Sequence, residues 1–298
     1  RATGKLGESY ALDADVEDLF VAARGESVML TAPFRARASI DSLEIFDAAL
    51  SGSLGRFSLN GVFTYAGALD VVASMEGLNL DNVSRLLPSP PPAPLRGVVR
   101  GKLALSGTRE SPVFETDLNL TDFALGELKL DSIAMFASGD SSDVLVDLVA
   151  TSAAAGSIEV SGAVPVRPDS VSVYSLDRER EFGVSVLLSG FTLEAEASLL
   201  PGFAGVRRFV ADGSAVLVGT ADSLSSVNGS GFFRRLSAEL NLAEFSLADT
   251  AYLEVDAGSV SFDRLAIEVA RKRVLGGRYG GTVVVGGSLD PNGRVSLD

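Results

Sequence analysis

Residues Asp117 to Leu130 read Asp-Leu-Asn-Leu-Thr-Asp-Phe-Ala-Leu-Gly-Glu-Leu-Lys-Leu, and their spacing decides the fold class. Leu118 and Leu120 stand two apart, as do Phe123 and Leu125, then Leu128 and Leu130. Period two is the signature of a half-buried strand, whose side chains alternate between two faces. Between the pairs the step is three, at Thr121-Asp122 and again at Gly126-Glu127. One extra residue at such a step is a corner or bulge, after which the apolar residues return to the same face. Val260, Phe262, Leu265, Ile267 and Val269 repeat the habit. Helical spacing is scarce. Asp81 to Leu87 (Asp-Asn-Val-Ser-Arg-Leu-Leu), with Asp81 as N-cap, predicts one or two turns stopped by Pro88. The expectation is an all-β chain with few short helices.

Working outward, the same elements recur in order. Asp41-Ser-Leu-Glu-Ile45, Asp131-Ser-Ile-Ala-Met135 and Asp263-Arg-Leu-Ala-Ile267 share an Asp followed by apolar residues two apart. Leu86-Leu-Pro88, Gly101-Lys-Leu-Ala-Leu-Ser-Gly-Thr108 and Asp117-Leu-Asn-Leu120 lie between the first two. Leu199-Leu-Pro201, Gly213-Ser-Ala-Val-Leu-Val-Gly-Thr220 and Glu239-Leu-Asn-Leu242 lie between the second and third. With the closing Asp element, the four recur at offsets of 113, 112, 122 and 132 residues. An ordered set of four is the mark of duplication. Residues 1–298 thus read as one repetitive β module, with cycles 41–130 and 131–262, the start of a third at 263–298, and a partial preceding repeat in 1–40. Two inserts differ between cycles: the proline-rich Pro88 to Pro94, a surface crossing, and the charged Arg167 to Glu181, a solvated loop or helical turn.

Composition removes much chemistry. The 298 residues include no His, Cys or Trp. Ser-His-Asp and Cys-His catalysis are therefore excluded, as are conventional zinc, copper, haem and iron–sulfur sites. Lys plus Arg number 25 against 39 acidic residues, a net charge of −14 that argues against nucleic-acid binding. Yet 46% of residues are hydrophobic and the mean hydropathy is +0.28. The longest run without charge or proline, Phe57 to Leu69, has 13 residues, too few for a membrane-spanning helix. Arg1, with no start methionine or signal peptide, leads to the expectation of a piece of a longer protein whose anchor lies outside it.

Candidate sites weigh against ordinary explanations. Asp13, Asp15, Glu17 and Asp18 lack the Gly at 18 and Glu at 24 that an EF-hand would require; alternation with Leu12, Ala14 and Val16 reads as the wet face of a strand. Gly276-Gly-Arg-Tyr-Gly-Gly-Thr282 has no lysine before its threonine and is no phosphate loop; it marks a bulge or a close backbone approach. No carboxylate or Ser–Lys pair stands out by spacing, and no enzyme, catalytic residue, metal or cofactor is expected. The apolar face itself remains: Leu103, Leu105, Leu118, Leu120, Phe123, Leu125, Leu128, Leu130, Ile133 and Met135 in the first cycle and the start of the second, then Leu240, Leu242, Phe245, Leu247, Val260, Phe262, Leu265 and Ile267. These positions fit the dry core of a sandwich and the lining of an open trough equally well.

The order of Leu86-Leu87-Pro88, Gly101 to Thr108 with Pro112 after it, Asp117 to Leu120 and Asp131-Ser-Ile133 resembles the TamB family within the AsmA-like superfamily. The likeness covers about residues 41 to 298; the second copy departs from it, with Leu224 where the first has a proline. The resemblance implies an elongated antiparallel sheet curled into a hydrophobic trough of the β-taco kind. It further implies the periplasm of a diderm bacterium, an inner-membrane anchor N-terminal to this piece, and passage of phospholipids to the outer membrane. The partners so implied are phospholipid acyl chains and a TamA-like or BamA-like outer-membrane barrel. Two other uses fit the same pattern: a module holding outer-membrane strands by β-augmentation, and a structural β-repeat stalk.

Overall fold

The computed structural model describes residues 2–6, 11–89, 91, 93–108, 110–126, 128–168, 174–194, 206–240, 243–272, 278–289 and 295–297. They form 22 strands, one α-helix and a 3₁₀ turn at Leu224–Ser226, and every registered ladder is antiparallel. The chain divides into two compact units. One holds Arg1–Leu125, Ser132–Leu145 and Val166–Leu176; the other holds Gly126–Asp131, Val146–Pro165 and Asp177–Asp298.

In the first unit the strands are β1 (Ala2–Leu6), β2 (Leu12–Val16), β3 (Phe20–Ala23), β4 (Glu26–Leu30), β5 (Phe34–Ala38), β6 (Ser42–Gly52), β7 (Gly55–Thr64), β8 (Ala68–Asn79), β9 (Leu95–Thr108) and β10 (Pro112–Leu125). From β6 to β10 each strand pairs with the next, a meander that follows chain order. Upstream, β6 is shared: β5 pairs with its first half and β4 with its last residues. β2 pairs with β5, and Asp13 and Asp15 sit opposite Arg37 and Arg35 at 3.2 Å and 3.7 Å. Those acidic residues are the wet side of a strand, and among the described residues no group of acids is arranged to hold a metal ion.

The three-residue step at Thr121-Asp122 is a bulge. Thr121 pairs with Val98 and Ala124 with Arg96, so Asp122 and Phe123 share Gly97 as partner, and Asp122 has φ 52°. Asp tolerates this left-handed conformation better than most residues. Phe262 and Leu265 flank a second such shift in β20 (Ser259–Lys272). The step at Gly126-Glu127 differs: β10 ends at Leu125, Gly126 turns with φ 62°, and β11 (Leu128–Gly139) begins. That step therefore falls between two strands, not within one.

The helix, α1, runs Leu80–Leu86, and its N-cap is Asn79 rather than Asp81. The Asn79 carboxamide oxygen accepts from the Asp81 and Asn82 amides at 2.9 Å and 3.4 Å. β8 stays on its ladder as far as the Asn79–Val98 pair, so the last residue held by the sheet is the one that caps. Asp81 instead sits in the first turn, 2.9 Å from Arg85 one turn on. Leu87 leaves the helix extended, and Pro88 follows.

The second unit repeats the arrangement with β15 (Glu181–Glu194), β16 (Val206–Thr220), β17 (Asn228–Leu240), β18 (Ala243–Leu247), β19 (Ala251–Asp256), β20 and β21 (Arg278–Leu289). β15, β16 and β17 pair in chain order; β17 is then shared between β18 and β19, both of which pair with β20, and β21 follows. The charged insert Arg167 to Glu181 is partly strand, since Tyr174–Leu176 pairs with Val166–Pro168, and Asp177 accepts from the Glu179 amide in the turn that follows. Gly276 and Gly277 lie outside the described residues; Gly280, in β21, supplies the expected close approach, because a Cβ there would stand 2.8 Å from the Val269 oxygen.

The core is thin. Among the described residues the buried hydrophobic side chains are Ala and Val, with Pro112 and Pro165 the largest enclosed; no Leu, Ile, Phe or Met is buried. A sandwich of two packed sheets encloses just those larger residues.

Candidate apolar groove

Ladder register sorts the first unit into two faces, because residues directly opposite on antiparallel strands share a side. One rung is Leu50–Phe57–Met75–Gly101–Leu118, the next on that face Ala48–Leu59–Ala73–Leu103–Thr116, and the third Ile45–Gly61–Val71–Leu105–Phe114. The rung between the first two is Ala49–Ser58–Ser74–Lys102–Asp117 and points the other way. So the sequence alternation becomes a greasy face and a polar one.

On the greasy face the first two rungs, Gly101 excepted, line a cavity of about 560 Å³ with Ile45, Phe34 of β5 and Leu19, and Lys102 borders it. The one side-chain hydroxyl on these rungs, that of Thr116, donates to the Lys102 carbonyl oxygen at 3.1 Å and so is spent within the sheet. Ser58 and Ser74 border the cavity, but their hydroxyls meet each other at 2.6 Å in the outward rung. What the cavity offers is contact with methyl, methylene and ring carbons. With roughly 30 Å³ per methylene, about a water's share of liquid volume, it accommodates on the order of 18 methylenes.

The repeated glycine motif has a shared physical reason. A Cβ on Gly101 would meet the Asp117 oxygen at 2.5 Å and Leu118 Cδ2 at 2.4 Å; one on Gly213 would meet the Phe232 oxygen at 2.4 Å and Phe233 Cδ1 at 2.6 Å. In both cycles the bare glycine lets the opposite strand's large apolar side chain lie across it.

Of the sequence-predicted residues, Leu103 and Leu118 line the cavity. Leu105 stands on the same face one rung on, and Leu120, opposite Val99, continues it toward the bulge. After the bulge Phe123 and Leu125 return to that face, Leu125 opposite Leu95. Leu130, Ile133 and Met135 are half-buried on β11, whereas the side chain of Leu128 lies outside the described residues. In the second unit Phe245 and Leu247 stand opposite Val269 and Ile267; Val260, Phe262 and Leu265 stand opposite Leu289, Gly287 and Val285 on that same side of the sheet. Leu240 pairs with Val206, and Leu242 lies outside the described residues. Sequence reading missed Leu50, Phe57, Leu59 and Met75, which form the floor. Their signal was present in Arg-Phe-Ser-Leu-Asn at 56–60, the same alternation as at 117–120.

Comparison with family models, with curated proteins and with solved structures gives no match for this chain.

Proposed function

We propose that the greasy face binds lipid acyl chains, and that the chain is a non-enzymatic periplasmic segment passing phospholipids between the two membranes of a diderm envelope. The observation that carries this is the cavity of about 560 Å³ on a sheet face whose leucines and phenylalanines are half-buried at most. Acyl burial is worth roughly 0.8 kcal/mol per methylene against water. Against a bilayer interior the same transfer is close to neutral, so a chain can enter and leave. The resemblance of the repeat order to that of the TamB family is what supports the envelope setting and an outer-membrane barrel as partner.

The test is a photo-crosslinking residue at Leu103 or Leu118, with Glu115 on the outward face as control, in cells of a diderm bacterium making the full-length protein. Phospholipid adducts are expected at the two inward positions and absent at the third. Capture at none of them overturns the lipid reading. A second reading, in which an edge holds outer-membrane strands, draws on β21, where Val283 and Val284 are 50% and 54% exposed. Protein adducts of outer-membrane strands at Val284, without lipid at Leu118, favour it.

A further inference from the structure

Helix α1 crosses one end of the apolar groove. Beyond the Leu50–Phe57–Met75–Gly101–Leu118 rung, β6 turns into β7 at Gly52–Gly55, and β8 leaves its ladder after Asn79. From there α1 runs past the turn between β6 and β7. The Asn79 amide donates to the Leu54 oxygen at 3.3 Å, and the Asn82 side-chain amide to the Ser53 oxygen at 2.6 Å. The far end of the helix reaches the turn between β3 and β4, where Arg24 donates to the Leu86 and Leu87 carbonyl oxygens. Two contacts put α1 on the apolar side of the sheet. A Cβ on Gly97 would meet Leu80 Cδ1 at 3.4 Å and the inward Leu120 Cδ1 at 2.9 Å. Arg85 stands 3.3 Å from Glu26, which shares a side of β4 with Val28 and with Leu30, the partner of Leu50. The apolar side does not end under the helix: Val99 with Leu120, then Leu95 with Leu125, carry it on.

The docking is weak in the way a moving part requires. A helix of seven residues does not hold itself together in water, and none of the residues of α1 is buried. Leu80, Val83 and Leu86 are half-buried, and Leu87 beyond them is exposed. On the C-terminal side Leu87 is extended, and Pro88 begins the stretch to Pro94, whose prolines have no N–H to give a ladder. What holds the helix down is the short set of polar contacts just named, with the Glu26 carboxylate, 7% exposed, beneath Arg85. Lifting the helix returns that carboxylate and two guanidiniums to water, so undocking exchanges these contacts for hydration. A segment held in this way opens locally at a free energy well below that of the ladder it rests on.

Resting on the lipid reading above, we propose that α1 is a gate across the groove. Docked, it stops an acyl chain at the Leu50–Leu118 rung; swung away from the sheet, it lets the chain run on to Leu120 and Leu125.

The chain has no cysteine, so a pair of introduced thiols clamps the gate without side products. In the clamped variant, Asn82→Cys and Ser53→Cys are joined by a short bis-maleimide; in the released one, Arg24→Gln and Arg85→Gln remove the latch. Each purified chain, wild type included, is incubated with phosphatidylglycerol vesicles containing a phosphatidylcholine whose acyl chain ends in a diazirine. After photolysis the adducts are mapped by tandem mass spectrometry. The readout is the adducts at Leu120 and Leu125 divided by those at Leu103 and Leu118. Against wild type the ratio is expected to rise about fivefold on release, the scale of one lost ion pair, and to fall about as far on clamping. Arg85→Lys alone, which keeps the charge, is expected to stay near wild type. In wild type the α1 amides are expected to exchange hydrogen faster than those of β7 to β9, whose rates stay the same in every variant. A ratio equal in clamped and released chains, or α1 amides that exchange only as fast as the ladder, overturns the gate while leaving the groove standing. No adduct on the apolar side in any variant overturns both. If release also loosens the ladder, the clamped chain against wild type decides alone, an equal ratio overturning the gate.

Discussion

Deleting Asp122 should be nearly harmless, and deleting Thr116, six residues earlier in the same strand, should be severe. Along β10 the inward residues are Phe114, Thr116, Leu118 and Leu120; Thr121 points out, Asp122 is the extra residue with φ 52°, and Phe123 and Leu125 point in again. Without Asp122 the alternation runs unbroken from Phe114 to Leu125, and a left-handed non-glycine residue is removed. That conformation costs about 1 kcal/mol for Asp, the low end of the range, and the added twist of the bulge is lost with it. The net change is expected to stay within about 1 kcal/mol. Without Thr116 the five residues from Asp117 to Thr121 change sides. Leu118 and Leu120 turn outward, and Asp117, Asn119 and Thr121 turn onto the apolar face, until Asp122 falls into the regular pattern and Phe123 is inward once more. Two half-buried leucines lose roughly 1 kcal/mol each, and a carboxylate facing apolar carbon adds a few more. The total, about 4 kcal/mol, is a large share of the stability of any domain.

The double deletion separates this account from a general intolerance of β10 to shortening. With Asp122 also gone nothing restores the phase, so Phe123 and Leu125 turn outward as well. A deletion that is benign in the parent becomes harmful in the Thr116-deleted background, by about 2 kcal/mol. Urea unfolding and native-state hydrogen exchange over the β9 and β10 amides read these differences, the exchange measurement confining them to this ladder. Equal destabilisation by the two single deletions, or additivity in the double, would refute the reasoning from phase.

Gly213→Ala and Gly183→Ala should have opposite signs. The first places a Cβ 2.4 Å from the Phe232 oxygen and is expected to cost about 1–3 kcal/mol, while the second meets nothing within 4 Å and is expected to stabilise by about 0.5 kcal/mol, both by urea unfolding. Arg85→Gln should cost about 1 kcal/mol, because the carboxylate of Glu26, only 7% exposed, loses the guanidinium 3.3 Å away; Glu26→Gln in that background should recover part of the loss in a double-mutant cycle.

How much of this could be read beforehand depends on what range each signal has. The apolar face was legible because period two is local: Leu118, Leu120, Phe123 and Leu125 fall where their spacing puts them. The two three-residue steps look alike, yet one is a bulge within β10 and the other falls between β10 and β11. Asp122 and Gly126 both take positive φ, and only the pairing of the flanking residues tells the two apart. The helix cap went to Asn79 over Asp81 for a long-range reason, the last ladder pair of β8 with β9. The repeat was legible as letters but not as rungs. Gly101 faces Leu118 of its own Asp-Leu-Asn-Leu motif, whereas Gly213 faces Phe233, seven residues before Leu240 of the corresponding motif. The connection from Thr220 to Asn228 is longer than that from Thr108 to Pro112, and slides the second copy along its partner. The groove floor at Leu50, Phe57, Leu59 and Met75 lies outside the repeat elements, after Asp41–Ile45 and before Leu86–Pro88, although its alternation is as regular.

The same arrangement accounts for a chain that is both acidic and greasy. An outward rung such as Ala49–Ser58–Ser74–Lys102–Asp117 lies between the inward ones, so along β6 to β10 charge occupies one side of the sheet and mostly carbon the other. Net charge of −14 keeps such molecules apart in water despite the open face. Packing that face against a second sheet would stabilise the fold more, by enclosing leucines and phenylalanines that now stay half-exposed. The leucines retained there are therefore better explained by what the face touches than by what it contributes to folding. On the proposed reading, uniform rungs without directional polar groups give an acyl chain no position deeper than the next, the condition for sliding along the groove.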